Sequence, residues 1–183
     1  HSGDLLSLYD EFKPSLALSG QPARLEIEGF ELCEAGILWS KDDFSIEILY
    51  PFPSLDLSQA SSNNHSCVVR LSLLGKVFLL MGDLESDAEL SLVKHYRNRL
   101  KADVLIAGHH GAAKGSSFAL LKHIKPDYMV FSAGYLNKFG HPSDVVLGRV
   151  SEFEVSIFNT SENGAVSFKR AALESSLLIE TAR

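Results

Sequence analysis

The sequence predicts a layered α/β domain built around a mixed sheet. Strand-length apolar runs alternate with helical patterns through the middle of the chain, and strand patterns dominate both flanks. A bundle or an all-β architecture would show one of these two periods and not the other. The length of 183 residues fits one domain, or one large piece of one.

Leu5–Phe12 has helical spacing, with Ser2 and Asp4 before it as caps and Pro14 closing it. Phe44–Tyr50 sets Phe44, Ile46, Ile48 and Tyr50 against Ser45, Glu47 and Leu49, the alternation of a strand with one buried face. Residues 51–64 are rich in Ser, Pro and Asn and read as a long loop. Residues 67–73 and 76–81 predict a hairpin turning at Leu74-Gly75. Residues 85–100 predict an amphipathic helix with Leu90, Val93 and Tyr96 facing inward. A buried strand over 103–107, a short helix over 116–124 and a strand over 128–133 follow. Residues 142–150 predict a helix with Pro142 in its first turn. The tail offers three strands, at 154–159, 165–169 and 176–180.

The composition, 45% hydrophobic and 22% charged, is that of a globular protein with a core. Apolar runs stay far below the roughly 18 to 20 residues a membrane helix needs. The chain starts at His1 and not at Met, so the lack of a visible signal peptide says little about compartment. A net charge of −6 excludes holding nucleic acid by phosphate neutralisation alone. Such a role would need bound metal charge or a local basic patch, around Lys94, Arg97, Arg99 and Lys101 or around Lys114, Lys122 and Lys125; both groups read first as solvated helix faces. Cys33 and Cys67 form no metal-spaced pair, and two cysteines make no disulfide scaffold; Cys67 reads as a buried small hydrophobe.

The chemistry concentrates between Met81 and Pro142. Met81-Gly82-Asp83, Gly108-His109-His110-Gly111 and Gly140-His141-Pro142 each end an apolar run on a small residue and then present a carboxylate or an imidazole. A strand delivers its last side chains to the sheet edge, where ligands bind, and a mixed O/N set suits zinc or manganese. Asp83 serves either as a carboxylate ligand or as the N-cap of the following helix. Two adjacent histidines at the end of a buried strand favour function over packing; alternation along the strand would send only one of them to a given metal. His141 is balanced between surface residue and site residue. His65 is a minor candidate, and His95 and His123 read as solvent-facing. A binuclear hydrolytic site takes about five to seven ligands, more than this stretch supplies.

At these residues the chain resembles a known family. The order Asn63-Asn64-His65-Ser66, Met81-Gly82-Asp83, His109-His110-Gly111, Ser116-Ser117 and Asn137-Lys138-Phe139-Gly140-His141-Pro142 is similar to the C-terminal metallo-β-lactamase-like domain of the ComEC family, the competence proteins that form the inner-membrane channel for DNA uptake. The run from Asn159-Thr160 to Gly164-Ala165-Val166 looks like that domain's closing strand pair, so the resemblance covers nearly the whole chain. It implies an αββα sandwich, of which residues 1–183 are mainly the C-terminal portion, with the first βαβ half and most of the first metal motif preceding His1. His1-Ser2-Gly3-Asp4 looks like the end of that motif, making His1 its last histidine; the alternative source of His1 is an affinity tag.

By the same resemblance two ions, Zn2+ or Mn2+, would be bound, with Asp83 as bridging carboxylate, His109 or His110 as a late ligand, and His141 contacting the scissile phosphate or protonating the leaving group. The implied function is hydrolysis of the DNA strand that is not imported. The implied partners are DNA, as a single strand or a duplex being unwound, the membrane channel of the same polypeptide and other competence proteins, which sets the domain at the bacterial inner membrane. The chain departs from the family pattern where Ala112-Ala113-Lys114 follow the His-His-Gly, replacing hydroxyl donors with a cation able to hold phosphate. The alternatives are a metal-free module that guides DNA or docks partners, and a related phosphodiesterase, such as a choline-phosphate esterase.

Overall fold

Strand polarity in the central sheet changes midway, and that change positions the site. The structure, a computed structural model, describes residues 5–25, 27–73, 75–170 and 177–182. His1, Ser2, Asp4, Leu74 and Ser176, all used in the sequence reading, lie outside the described residues.

Helix α1 (Leu5–Phe12) leads to a short parallel pair, β1 (Ala17–Ser19) with β2 (Phe30–Leu32). Strands β3 (Leu38–Lys41), β4 (Phe44–Tyr50), β5 (Val68–Leu73) and β6 (Lys76–Leu80) then form an antiparallel meander. From β6 onward the neighbours β7 (Val104–Ile106), β8 (Tyr128–Phe131) and β9 (Ser156–Asn159) run parallel, giving a seven-stranded sheet in sequence order. Parallel neighbours require crossovers, supplied here by helices α2 (Ser86–Tyr96), α3 (Phe118–Ile124) and α4 (Asp144–Val150). After a four-residue helix α5 (Thr160–Asn163), strands β10 (Ala165–Arg170) and β11 (Leu177–Ala182) pair as a hairpin. The mixed α/β class predicted from the alternation holds.

Both faces of the parallel block are apolar, as strands buried on two sides must be. Leu79, Leu105 and Met129 join Leu92, Leu120, Leu121, Ile124, Val146 and Val150 from the three helices in one core. Their strand neighbours Phe78, Val104 and Val130 face the other way, against Val166, Phe168 and Leu177 of the hairpin. Asp103 ties the starts of β6 and β7 together by accepting from Lys76 Nζ at 2.9 Å and from the Val77 N–H at 2.8 Å.

Several sequence expectations need correction. Leu90 is 43% exposed, while Ala88, Glu89, Leu92, Val93 and Tyr96 face inward. The phase was set by choosing Leu90 as an apolar marker, whereas the inward stripe includes a carboxylate. Helix α2 stops at Tyr96, because Arg97 takes φ +48° and a tighter turn, Arg97–Leu100, follows. The alternation in β4 fails at its end, where a register shift between Ile48 and Tyr50 lets Ile48, Leu49 and Tyr50 all be buried. Pro142 lies ahead of α4, whose N-cap is Ser143, accepting from the Val146 N–H. Cys67 is half-buried and disulfide-bonded to Cys33, their Cα atoms 6.0 Å apart, so it is not a free apolar thiol.

Candidate functional site

Strands β6, β7 and β8 are adjacent and parallel, so their carboxyl ends open on one edge of the sheet about 5 Å apart in turn. Ligand sites in open α/β sheets form outside such ends. Asp83 follows β6, His109 and His110 follow β7, and Ser132 to His141 follow β8. The sequence reading brought Asp83, His109, His110 and His141 together on this edge, and the structure does the same. His1 lies outside the described residues.

Asp83 is not the N-cap of α2, which is Glu85. Its backbone N–H donates to Ser66 Oγ at 2.9 Å, and the carbonyl of Gly82 accepts from the His109 N–H at 2.8 Å. Gly82 has φ +57°, and a Cβ there would meet Ser66 Cβ at 2.9 Å. A residue without a side chain therefore joins the β5, β6 and β7 segments at this point.

The histidine pair does not continue the strand. His109 and His110 sit in the turn Gly108–Gly111 with φ of +50° and +57°, the left-handed region. This corrects the expectation that the two rings would point to opposite faces. Both line the same cavity of about 400 Å³, together with Ser132, Ala133, Gly134, Asn137, Phe139 and His141. Gly111 closes the turn at φ +87°, where a Cβ would stand 2.6 Å from Phe131 Cδ1 and 2.8 Å from Pro142 Cβ.

Hydrogen bonding fixes the His110 ring. Its Nδ1 donates to the Ser132 carbonyl at 2.8 Å, so in the neutral ring Nε2 carries the lone pair. That Nε2 lies 3.5 Å from Asp83 Oδ1. A metal ion shared by the two would be bound by both lone pairs. Ligands on one tetrahedral ion, each about 2.0–2.1 Å from it, stand roughly 3.4 Å apart. His109 Nδ1 is 3.9 Å from Glu85 Oε1, an ion-pair separation too long for a hydrogen bond, and the buried Nδ1 atoms of His109 and His141 have no hydrogen-bond partner among the described residues. These donors suit a borderline divalent ion in kind. They fall short in number, since among the described residues no three His, Cys, Asp or Glu side chains close around one point.

His141 belongs to a loop that Asn137 ties to itself. Asn137 Oδ1 accepts from the His141 N–H at 2.7 Å, and its Nδ2 donates to the His141 carbonyl at 2.9 Å and the Gly134 carbonyl at 3.2 Å. Burial, together with the neighbouring His109 and His110, holds the His141 imidazole below its usual pKa, so the ring is neutral at pH 7.

Two residues escaped the sequence reading. Glu85 is held by Ser61 Oγ and Asn63 Nδ2, each at 3.1 Å, while its N–H donates to Asn64 Oδ1 at 3.0 Å. Its position two residues beyond Asp83 was the available signal. Glu89 is fully buried and accepts from the N–H groups of Ser116 and Ser117 at 2.6 and 2.7 Å, pinning the segment after the histidines to α2. Lys114, read as a phosphate-holding cation, does not line the cavity; its carbonyl accepts from the N–H of Ser86 instead. His65 does not line the cavity either, His95 stacks beside Phe52 and Tyr96, and His123 is half-buried against its own helix, with Nδ1 at 2.8 Å from the Ala119 carbonyl.

Among the described residues no helix is long and apolar enough to cross a membrane. No protein-family model matches the chain. Its sequence is 35% identical over 150 residues, 82% of this chain, to competence protein ComA of Neisseria gonorrhoeae. It is 30% identical over 149 residues to ComE operon protein 3 of Bacillus subtilis and 31% identical over 134 residues to recombination protein 2 of Haemophilus influenzae, covering 81% and 73% of this chain. These matches take up 21%, 19% and 16% of the three proteins, so the chain spans about a fifth of the curated relatives it matches. The homologues of this chain are thus competence proteins, and it corresponds to one segment of them.

Proposed function

We propose that this chain is the C-terminal portion of a metallo-β-lactamase-like domain that hydrolyses DNA phosphodiesters, degrading the strand that is not imported during competence DNA uptake. The observation that carries the reading is the pairing of His110 Nε2 with Asp83 Oδ1 across 3.5 Å, His110 lining a cavity together with His109 and His141. Asp83, His109 and His110 would hold Zn2+ or Mn2+ together with His1 and residues preceding it. A bound divalent ion supplies an acidified water and positive charge for the phosphate. Ser66 fixes the backbone at Asp83, and the Ser132 carbonyl fixes the His110 tautomer, so both groups are oriented before substrate arrives. His141, neutral and tethered through Asn137, is placed to donate a hydrogen bond to a phosphate oxygen or to the leaving oxygen. The natural partners of such a domain are DNA, a channel-forming membrane part of the same polypeptide and other competence proteins.

The test is cleavage of DNA by the complete protein in Mn2+ or Zn2+. Asp83→Ala and His109→Ala are each expected to reduce cleavage to background. Cleavage at the wild-type rate by both variants would sink the reading. A second reading, a metal-free module that guides DNA or docks partners, draws on the shortage of converging ligands among the described residues. It requires that the complete protein bind neither ion, which calorimetric titration decides.

A further inference from the structure

Residues 65–67 touch both the amino-terminal strand pair and the loop that carries Asp83, and a glycine makes each approach. After β1, a Cβ on Gly20 would stand 1.6 Å from the His65 carbonyl oxygen, so only a residue without one lets the chain lie on the His65 backbone. Gly82 meets Ser66, whose Oγ accepts from the Asp83 N–H at 2.9 Å. Cys67 comes next, and its disulfide to Cys33 closes the arrangement. Cys33 follows β2, and its N–H donates to the carbonyl of Ser19, the residue before Gly20, at 2.9 Å. Asn63 and Asn64, just ahead of His65, hold Glu85. A cross-link between two remote surface loops would serve stability alone; this one ends one residue from the hydroxyl that fixes a candidate ligand.

We infer that the Cys33–Cys67 disulfide is a positioning element for the candidate site, acting through Ser66 on Asp83, and that its cleavage by a dithiol reductant loosens the carboxylate and weakens divalent-ion binding. Both cysteines line an apolar groove of about 420 Å³, which gives the reductant its approach, and Cys67 is half-buried where Cys33 is fully buried. A thiolate of the dithiol attacks the Cys67 sulfur, forming a mixed disulfide and releasing the Cys33 thiolate. The second thiol then closes the reductant's own disulfide and frees Cys67; two electrons pass to the cystine, and the two protons of the dithiol end on the cysteines. With the cross-link cut, packing alone holds residues 65–67 to the strand pair, and the Asp83 N–H loses a fixed acceptor. Groups that orient a metal ligand from behind are worth about ten-fold to a hundred-fold in metal affinity. The inference rests on the hydrolase reading for the identity of the ion and adds a redox control of the same site.

The test is amide hydrogen exchange on the whole metal-free chain, with the disulfide intact and after reduction by a phosphine. The Asp83 and His109 N–H groups are bonded to Ser66 and Gly82, and that of Ala107 to Val130 within the sheet. Exchange at Asp83 and His109 is expected to rise at least about five-fold more than at Ala107. No rise at Asp83, or an equal rise at all three, which is a plain loss of stability, overturns the inference. The complete protein is then titrated with Mn2+, and its reduced form should bind at least about ten-fold more weakly. Ser66→Ala should lose affinity to a similar degree, and reducing that variant should add little. Fully additive losses would mean that the cross-link does not act through Ser66. Mn2+ affinity indifferent to the disulfide, in a protein that cleaves DNA, sinks this inference alone. Selective loosening at Asp83 in a complete protein that binds no Mn2+ in either form upholds the control of Asp83 and sinks the hydrolase reading.

Discussion

The left-handed turn at His109 and His110 reverses the usual ranking of substitutions. A non-glycine residue in this region carries about 1–2 kcal/mol of steric cost. His110→Gly should therefore be more stable than His110→Ala by about 1 kcal/mol in denaturant titrations, although both remove the imidazole. An Ala variant as stable as the Gly variant would mean that the turn is not left-handed in solution. The neighbouring Gly111 behaves oppositely. Gly111→Ala drives a methyl group into Phe131 and Pro142 at positive φ and should cost about 2–4 kcal/mol, read from the same titrations. The sequence was informative here about identity and not about direction. Asp83, His109, His110 and His141 were legible as apolar runs ending on a small residue and a ligand-type residue. The shared orientation of the two rings was not, because alternation along a strand predicts opposite faces, and nothing local announces that the strand has already ended at Ile106.

At the scale of elements, the link that matters is the buried Glu89 on α2. Burial pushes its carboxyl pKa up, while the bonds from Ser117 and Ser116 and the charge of Arg149 pull it partly back. With the folded pKa above the unfolded value, the native state binds more protons in the window between them, so stability falls as pH rises across it. Above the folded pKa the loss is complete and constant. Glu89→Gln should flatten this decline above the ordinary carboxylate range in denaturant midpoints, and a steeper decline in the variant would contradict the assignment. Glu89→Ala leaves the buried N–H of Ser116 and the half-buried N–H of Ser117 without this acceptor and should cost about 2–4 kcal/mol at pH 7. The long helix was readable from its period, and Val93 and Tyr96 face inward as expected while Leu90 does not. A period identifies which residues share a face, whereas the core side follows from contacts with α3 and the sheet. The strand pairs β1 with β2 and β10 with β11 show the same limit: the second was legible from five-residue patterns at 165–169 and 176–180, and the first, three residues per strand, is shorter than any period can reveal.

For the molecule as a whole, the described residues cover the face opposite the helices only in part. Beyond the reach of the β10–β11 hairpin, Leu16, Leu18, Trp39, Ile46, Ile48 and Val69 line an apolar groove of about 420 Å³ beside the Cys33–Cys67 disulfide. This chain on its own should therefore self-associate and bind Mn2+ or Zn2+ weakly. Sedimentation velocity and calorimetry check both; a monomer that binds two ions tightly would overturn the expectation. The disulfide joins residues 34 apart in sequence, so its reduction should lower stability by about 2–4 kcal/mol in a comparison of denaturant midpoints with and without reductant. Neither cysteine announced its partner, because spacing along a chain says nothing of a meeting made by folding.

The self-tied loop held by Asn137 has a consequence for how such proteins diverge. Its internal bonds close between Gly134 and His141, and the sheet beneath is packed by other residues. Insertions and replacements within it can change what the cavity admits while Asp83 and the histidine turn stay in place. Descendants of one ancestral sheet thus come to admit different ligands by trading a segment of about eight residues, in the way that a tool changes its bit and keeps its handle.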